Sequence, residues 1–424
     1  MSMVTIGVQK KNGRWYDVQI KENIKKLLLQ NSDLLGVALA NLTDCPKLEG
    51  IALMNNSLRE INLAPLEDCP SLRWIDLWEN QLCSITLCQS QTLERLGLSQ
   101  NNLSSIDLSP LSNCPNLRSL GLHINELQKL DLSPLEHCPE LKYLSLEHND
   151  LFEIDLSPLS KCPKLKYLSL YGNYLPKVDL SPLANCPRLE TLTLTVYKKD
   201  ASIDLSPLAD CSNLKELELG EKFSSVNLSE LTHWPKLEVL KLTSKQLEEL
   251  DLTVLEKSQE LQELDLSENQ LEELDLTPLK NCSKLQHLGL RGNQFSELDL
   301  SPLSALQELQ SFSLSYNQFS ELNLAPLAIC KKLYGLYLKK NQLSSLDLTP
   351  LAQCPELKAL YLNGNSFSEL DITPLKNCPK LERVTVDSST TLLWRESSLP
   401  NKEALPLGLR KLFSRLSLKK VKST

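Results

Sequence analysis

The sequence predicts an α/β-type solenoid, in which stacked coils form a parallel β-sheet on the concave face and short helical turns on the convex face. Three observations predict it. Residues recur at an interval of 24, as in LRSLGLHINELQKLDLSPLEHCPE followed by LKYLSLEHNDLFEIDLSPLSKCPK. Each unit contains L-x-L, whose period of two belongs to a strand with one buried face. Most units carry [ST]-P-L, which starts a helical turn. A repeat this regular overrides any domain count drawn from a length of 424 residues.

The elements follow in order. Residues 1–23 read as a β-hairpin cap, because VTIGVQKKNGRWYDVQI sets an Asn-Gly turn between two strand-like runs. Solenoid ends expose apolar core and strand edges, so Trp15 and Tyr16 are expected to cover the first coil. Residues 24–390 form about 15 coils. In each, two leucines enter the core, and an Asn then ends the strand with an amide able to serve both donors and acceptors. The [ST]-P-L segment supplies an N-cap hydroxyl and a proline at the first helical position. The proline after the Cys returns the chain to an extended path. One coil cannot bury its own leucines. Stacked at roughly 4.8 Å per strand, the coils bury a continuous core along an arc of about 70 Å, one elongated domain.

Units starting at Leu189, Leu214 and Leu237, spanning 189–260, break the pattern. Tyr197, Lys222 and Lys245 replace the turn Asn, and Glu230 and Val254 replace the proline. A change of curvature or a mobile loop is expected at 195–203, dividing the array into two regular halves. The unit at Leu72 is short and lacks its [ST]-P-L beside a Trp pair. Residues 391–424 read as a C-terminal cap and basic tail, with a helix in LPLGLRKLFSRL.

The run L-x-x-L-x-L-x-x-N-x-L resembles the leucine-rich-repeat signature and covers residues 24 to about 390. The following D-L-[ST]-P-L is similar to internalin-type short repeats lengthened to 24 residues. The resemblance implies protein binding on the concave sheet as the mode of action, without naming a ligand.

Two ladders have structural readings. Eleven of the thirteen cysteines occupy one slot of the repeat, and Leu306 and Ser258 fill the same slot elsewhere. A site that accepts Leu asks for volume, so packed, reduced thiols are expected rather than disulfides or a metal. The Asp before [ST]-P-L (Asp107, Asp131, Asp155 and others) gives way to Asn62, Asn227 and Asn323. Asp and Asn share hydrogen bonding to nearby backbone but not charge, which favours turn capping over a calcium ladder.

Function then rests on the outward positions of the strands. Trp74, Trp78, His123, Tyr143, Glu147, His148, Tyr167 and Tyr171 form a candidate partner-binding strip, with Gly97, Ser99, Gly121, Ser145 and Ser169 opening space among them. Trp and Tyr anchor interfaces at low entropic cost. The plainer reading is that these rings stack as cross-strand pairs. Glu216, Glu218, Glu221, Glu263, Asp265 and Glu268, with Lys241 among them, form a secondary acidic patch. Tyr337, Lys339, Lys340 and Tyr361 form another patch, with His287 and Arg291 upstream.

A net charge of −8 gives no general attraction to nucleic acid. There is no apolar run of spanning length and no signal-like N-terminus, so a soluble cytoplasmic protein is expected. No phosphate loop, HExxH or nucleophile elbow occurs, and no cofactor or metal is implied. His123, Glu147 and His148 are the one catalytic-looking set, but an open groove excludes water poorly. The expected function is a non-enzymatic scaffold for a protein or peptide. The alternative is an electrostatic adaptor, its acidic centre and basic tail engaging a basic partner or a membrane. The near-identity of the units also suits a designed consensus array that binds nothing.

Overall fold

The computed structural model of the protein describes residues 2–197, 201–220, 223–243, 246–395, 402–414 and 418–420. The chain forms two compact units, Met1–Leu214 and Lys215–Thr424.

The first unit opens with the hairpin Met3–Lys10 and Trp15–Lys21, paired antiparallel with Val8 opposite Tyr16. Gly13 makes the turn at φ 76°, a left-handed conformation that glycine adopts without a Cβ penalty. Met3–Lys10 also pairs with Leu34–Ala38. Val4, Ile6 and Val8 are buried and close the end of the core. Trp15 and Tyr16 do not. They are 55% and 43% exposed, which corrects the sequence expectation. Trp15 pairs with Gln9 and therefore lies on the opposite sheet face from Val8. Its ring rests against Gly7 and Gly36.

Among the described residues, eight parallel concave strands run behind the hairpin, from Lys26–Leu28 through Trp74–Asp76, Arg95–Gly97, Ser119–Gly121, Tyr143–Ser145 and Tyr167–Leu170 to Thr191–Thr195. Among its described residues the second unit carries eight, from Glu216–Gly220 to Arg383–Thr385. Register advances one repeat per strand, Ser119 beside Tyr143 and Tyr143 beside Tyr167. The repeat leucines are buried almost without exception.

The turn Asn acts as its chemistry anticipates. Asn149 Nδ2 donates to the carbonyls of Leu122 and Leu146, both at 3.0 Å, while Oδ1 accepts from Leu127 N at 3.1 Å. One amide thus satisfies buried backbone groups of two coils. Where this Asn is missing, the strands lengthen. Thr191–Thr195, Glu216–Gly220 and Val239–Thr243 have five residues each, against three in Ser119–Gly121. Of the segment expected to differ in curvature or mobility, 198–200 lie outside the described residues, as do Lys222 and Lys245.

The convex turns are 3-10 turns such as Ser133–His137, entered through a leucine at the N-cap position with no side-chain cap. The Ser/Thr hydroxyl is therefore not the cap that the sequence suggested. The Asp two residues earlier takes that role: Asp107 Oδ1 accepts from Ser109 N at 2.9 Å, and Ser109 Oγ donates back to Oδ2 at 2.9 Å. Asn62, Asn227 and Asn323 accept the same backbone bond at 3.0 Å, so the position requires an acceptor and not a charge. The ladder cysteines are free and buried. Cys162 Sγ donates to Leu135 O at 3.4 Å, and Cys186 Sγ to Leu159 O at 3.4 Å.

At the far end, helix Leu407–Phe413 buries Leu409 and Leu412. Gly408 N donates to Leu381 O at 2.8 Å, and a Cβ on Gly408 would meet backbone at 3.1 Å, so close approach requires glycine here. Buried Trp394 meets Phe413 edge-on at 6.1 Å. Of the basic tail, Arg415 and Lys422 lie outside the described residues, and Lys419 pairs with Glu369 at 2.9 Å.

Candidate functional site

The outward residues of the first unit do not stand free like bristles. Trp74 lies across the preceding strand, where a Cβ on Gly50 would sit 1.8 Å from its ring. Tyr143 and Tyr167 stack with centroids 4.3 Å apart and planes 11° off parallel. His148 meets the Tyr171 ring edge-on at 5.7 Å and covers Gly172. Cross-strand pairing therefore accounts for part of the strip. Stacked and half-buried rings still present one face and one edge, the preorganised form of an aromatic anchor.

Between Trp78 and Tyr143 the strip opens into a hollow of about 630 Å³. Its floor is small, made by Gly97, Ser99, Ser119 and Gly121, and Asp76, Arg95 and His123 complete its wall. Asp76 is only 6% exposed. Its Oδ1 lies 3.1 Å from Arg95 Nη2, an ion pair whose alignment falls short of a hydrogen bond. Burial accordingly pushes the Asp76 carboxyl above the usual range, against the pull of Arg95. His123 Nδ1 lies 2.8 Å from Ser99 Oγ and 3.2 Å from Ser145 Oγ. Desolvation lowers its pKa while Glu147 opposes that shift, which favours the neutral ring. Glu147 accepts from Ser169 Oγ at 2.7 Å. The Tyr167 hydroxyl is raised by burial and by that carboxylate. His123 and Glu147 thus each engage serine hydroxyls of the sheet.

Sequence reasoning placed all eight strip residues on one face but missed three neighbours. Asp76 and Arg95 form the ion pair at the wall of the hollow. Reading the outward positions of adjacent units together would have found them. Ile124 is 46% exposed at φ 53°. The signal there is backbone geometry, which the residue type conceals.

In the second unit the acidic residues are partly compensated. Lys241 Nζ lies 3.3 Å from Glu263, and Arg291 pairs with Glu268. Asp265 Oδ1 accepts from Ser267 N at 2.9 Å. Glu218 is pushed up by burial first, with Glu216, Asp265 and Glu263 reinforcing and Lys241 opposing. Glu221 lies outside the described residues. Farther along, Tyr337 and Tyr361 stack at 5.3 Å, while Arg291 and Lys339 lie over Tyr316 at 4.6 and 5.1 Å. Lys340 runs over Gly364, and His287 meets Tyr334 edge-on at 6.4 Å. Arg291 is thus engaged by a ring and a carboxylate, and Lys339 by a ring. Among the described residues no helix is long and apolar enough to cross a membrane.

The family described as leucine rich repeat matches residues 22–82, 91–151, 139–195 and 235–295. No protein with a curated description matches the sequence. Among solved structures, a leucine-rich-repeat protein of Leptospira interrogans is similar over 94% of this chain and 96% of its own, with TM-score 0.74 and 23% identity. An internalin of Listeria monocytogenes is similar over 80% of this chain and 88% of its own, with TM-score 0.60 and 25% identity. The ectodomain of a plant membrane receptor kinase of Arabidopsis thaliana, solved in complex with Casparian strip integrity factor 2, covers 91% of this chain but only 48% of its own, with TM-score 0.64 and 25% identity.

Proposed function

The chain belongs to the leucine-rich-repeat family, and from that premise we propose that it is a non-enzymatic scaffold that binds a protein or peptide on the concave face of its first unit. The observation that carries this reading is the hollow walled by Trp78, His123 and Tyr143 and backed by the Tyr143–Tyr167 stack. Half-buried rings held by their neighbours lose little entropy on docking. The bound factor in the plant receptor ectodomain supports a protein or peptide as the kind of partner. The electrostatic alternative has less support, because Lys241 and Arg291 already neutralise part of the acidic patch. The Tyr337–Tyr361 patch is a secondary surface in the same reading. The free cysteine ladder suits a reducing, cytoplasmic setting.

Capture of a partner from native extract tests the proposal. Trp78→Ala and Tyr167→Ala should each weaken capture about thirtyfold, as loss of an interface anchor does. Capture should change little between low and high salt. Steep salt dependence together with indifference to both substitutions would replace this reading with the electrostatic one.

A further inference from the structure

Trp74, Arg95, Ser119, Tyr143 and Tyr167 stand in register on five neighbouring strands. The large side chains are interrupted once, at Ser119. Tyr167 covers one face of Tyr143 at 4.3 Å, so the other face turns toward the strand bearing Ser119. From Arg95 to Tyr143 is two strand spacings, roughly 10 Å, which leaves room for a single ring.

The floor of this slot points the same way. Gly121 does not have a positive φ, and a Cβ there would meet only Ser99 Oγ, at 3.0 Å. Backbone conformation does not require the glycine, and the tight approach to Ser99 Oγ, which is held by His123, accounts for it only in part. A strand glycine also leaves the floor low enough for another group to approach closely. Gly97 differs, since Asp76 Oδ1 lies 2.7 Å from where its Cβ would be.

Charge selects among occupants. The Arg95 side chain is 56% exposed and that of Asp76 is 8%, so an occupant meets the cation of this pair. A Lys or Arg side chain placed against Arg95 is therefore opposed. Glu79 and Glu147 on neighbouring outward positions oppose a phosphodiester.

Building on the concave-face reading above, we propose that the slot over Ser119 and Gly121 receives one aromatic side chain of the protein partner, which continues the Tyr167–Tyr143 stack. N-acetyl-L-tryptophanamide serves as probe in saturation-transfer NMR on the full chain. Transfer to the indole protons is expected, with binding at least tenfold weaker in Ser119→Tyr, whose new ring would fill the slot. Tyrosine is already accommodated at the same register in Tyr143 and Tyr167, and circular dichroism checks that the variant folds. Gly121→Thr, which copies Thr193 three strands along the same row, gives a second obstruction that adds no ring. N-acetyl-L-argininamide and adenosine monophosphate are run as competitors. No transfer, undiminished binding to both variants, or stronger binding of either competitor would overturn the slot. If the slot fails while Trp78→Ala still loses its captured partner, the wider concave-face reading stands.

Discussion

Ile124 holds a β-branched side chain at φ 53°, a conformation such residues rarely adopt. The repeat imposes it. Gln100, His148, Glu268, Tyr316 and Lys340 occupy the same slot at φ 52–60°, and Gly172, Gly292 and Gly364 at φ 68–78°. The left-handed step lets the backbone continue its ladder after the strand, Ile124 N donating to Glu147 O at 2.8 Å. Asn tolerates this geometry far better than Ile. Ile124 is also 46% exposed, so little burial offsets its strain. A strained, exposed apolar residue beside His123 is a candidate for binding rather than folding. Ile124→Asn should raise unfolding stability by about 1 kcal/mol in urea titrations and weaken partner capture in the same preparation. Unchanged stability would mean the repeat relieves the strain elsewhere. A stabilised variant with full capture would remove Ile124 from the interface.

Within one coil, chemistry repeats closely enough to be read from sequence where a side chain does the work and poorly where the backbone does. The leucines fixed strand and core, and Asn149 shows why its slot needs an amide. The cap of the convex turn was misassigned because Ser and Asp both bond to nearby backbone. The structure gives the role to Asp, since a buried leucine already occupies the N-cap position. The pH dependence of stability follows from that assignment. Asp251, Asp275 and Asp299 have carboxyls below the usual range, held there by hydrogen bonds from Thr253, Thr277 and Ser301. Because the folded pKa is depressed, their contribution is fully present above the unfolded value, about 3.9, and is lost as pH falls through the folded one. Replacing all three by Asn, the residue at 62, 227 and 323, keeps the backbone hydrogen bond but removes the charge-dependent part, so neutral-pH stability should fall slightly and its decline below about pH 4 should flatten. Acid titrations followed by circular dichroism read the slope. An unaltered slope would assign the acid sensitivity to other carboxylates.

For the molecule as a whole, the residues of the strip were legible because outward positions are fixed by strand alternation. Their grouping was not, since stacking, the Asp76–Arg95 pair and the gap at Ser119 arise between coils that sequence treats as copies. The cysteines are the converse case, a property legible across the chain because one slot recurs with Leu306 standing in. Twelve of the thirteen cysteines are buried and Cys83 alone is exposed. Burial pushes Cys138, Cys162, Cys186, Cys330 and Cys378 up to about 12, which leaves roughly one thiol in 10⁴ ionised at pH 8. Thiolate is the reacting species, so both access and ionisation protect the ladder. A chromogenic disulfide reagent added to the native protein without reductant should therefore titrate one thiol quickly. The others should follow only at the rate of local opening. Denaturation should bring the total to thirteen. A denatured total below thirteen would reveal disulfides and remove the argument for a reducing compartment. Several fast native thiols would show that the coils open far more readily than a packed leucine core allows.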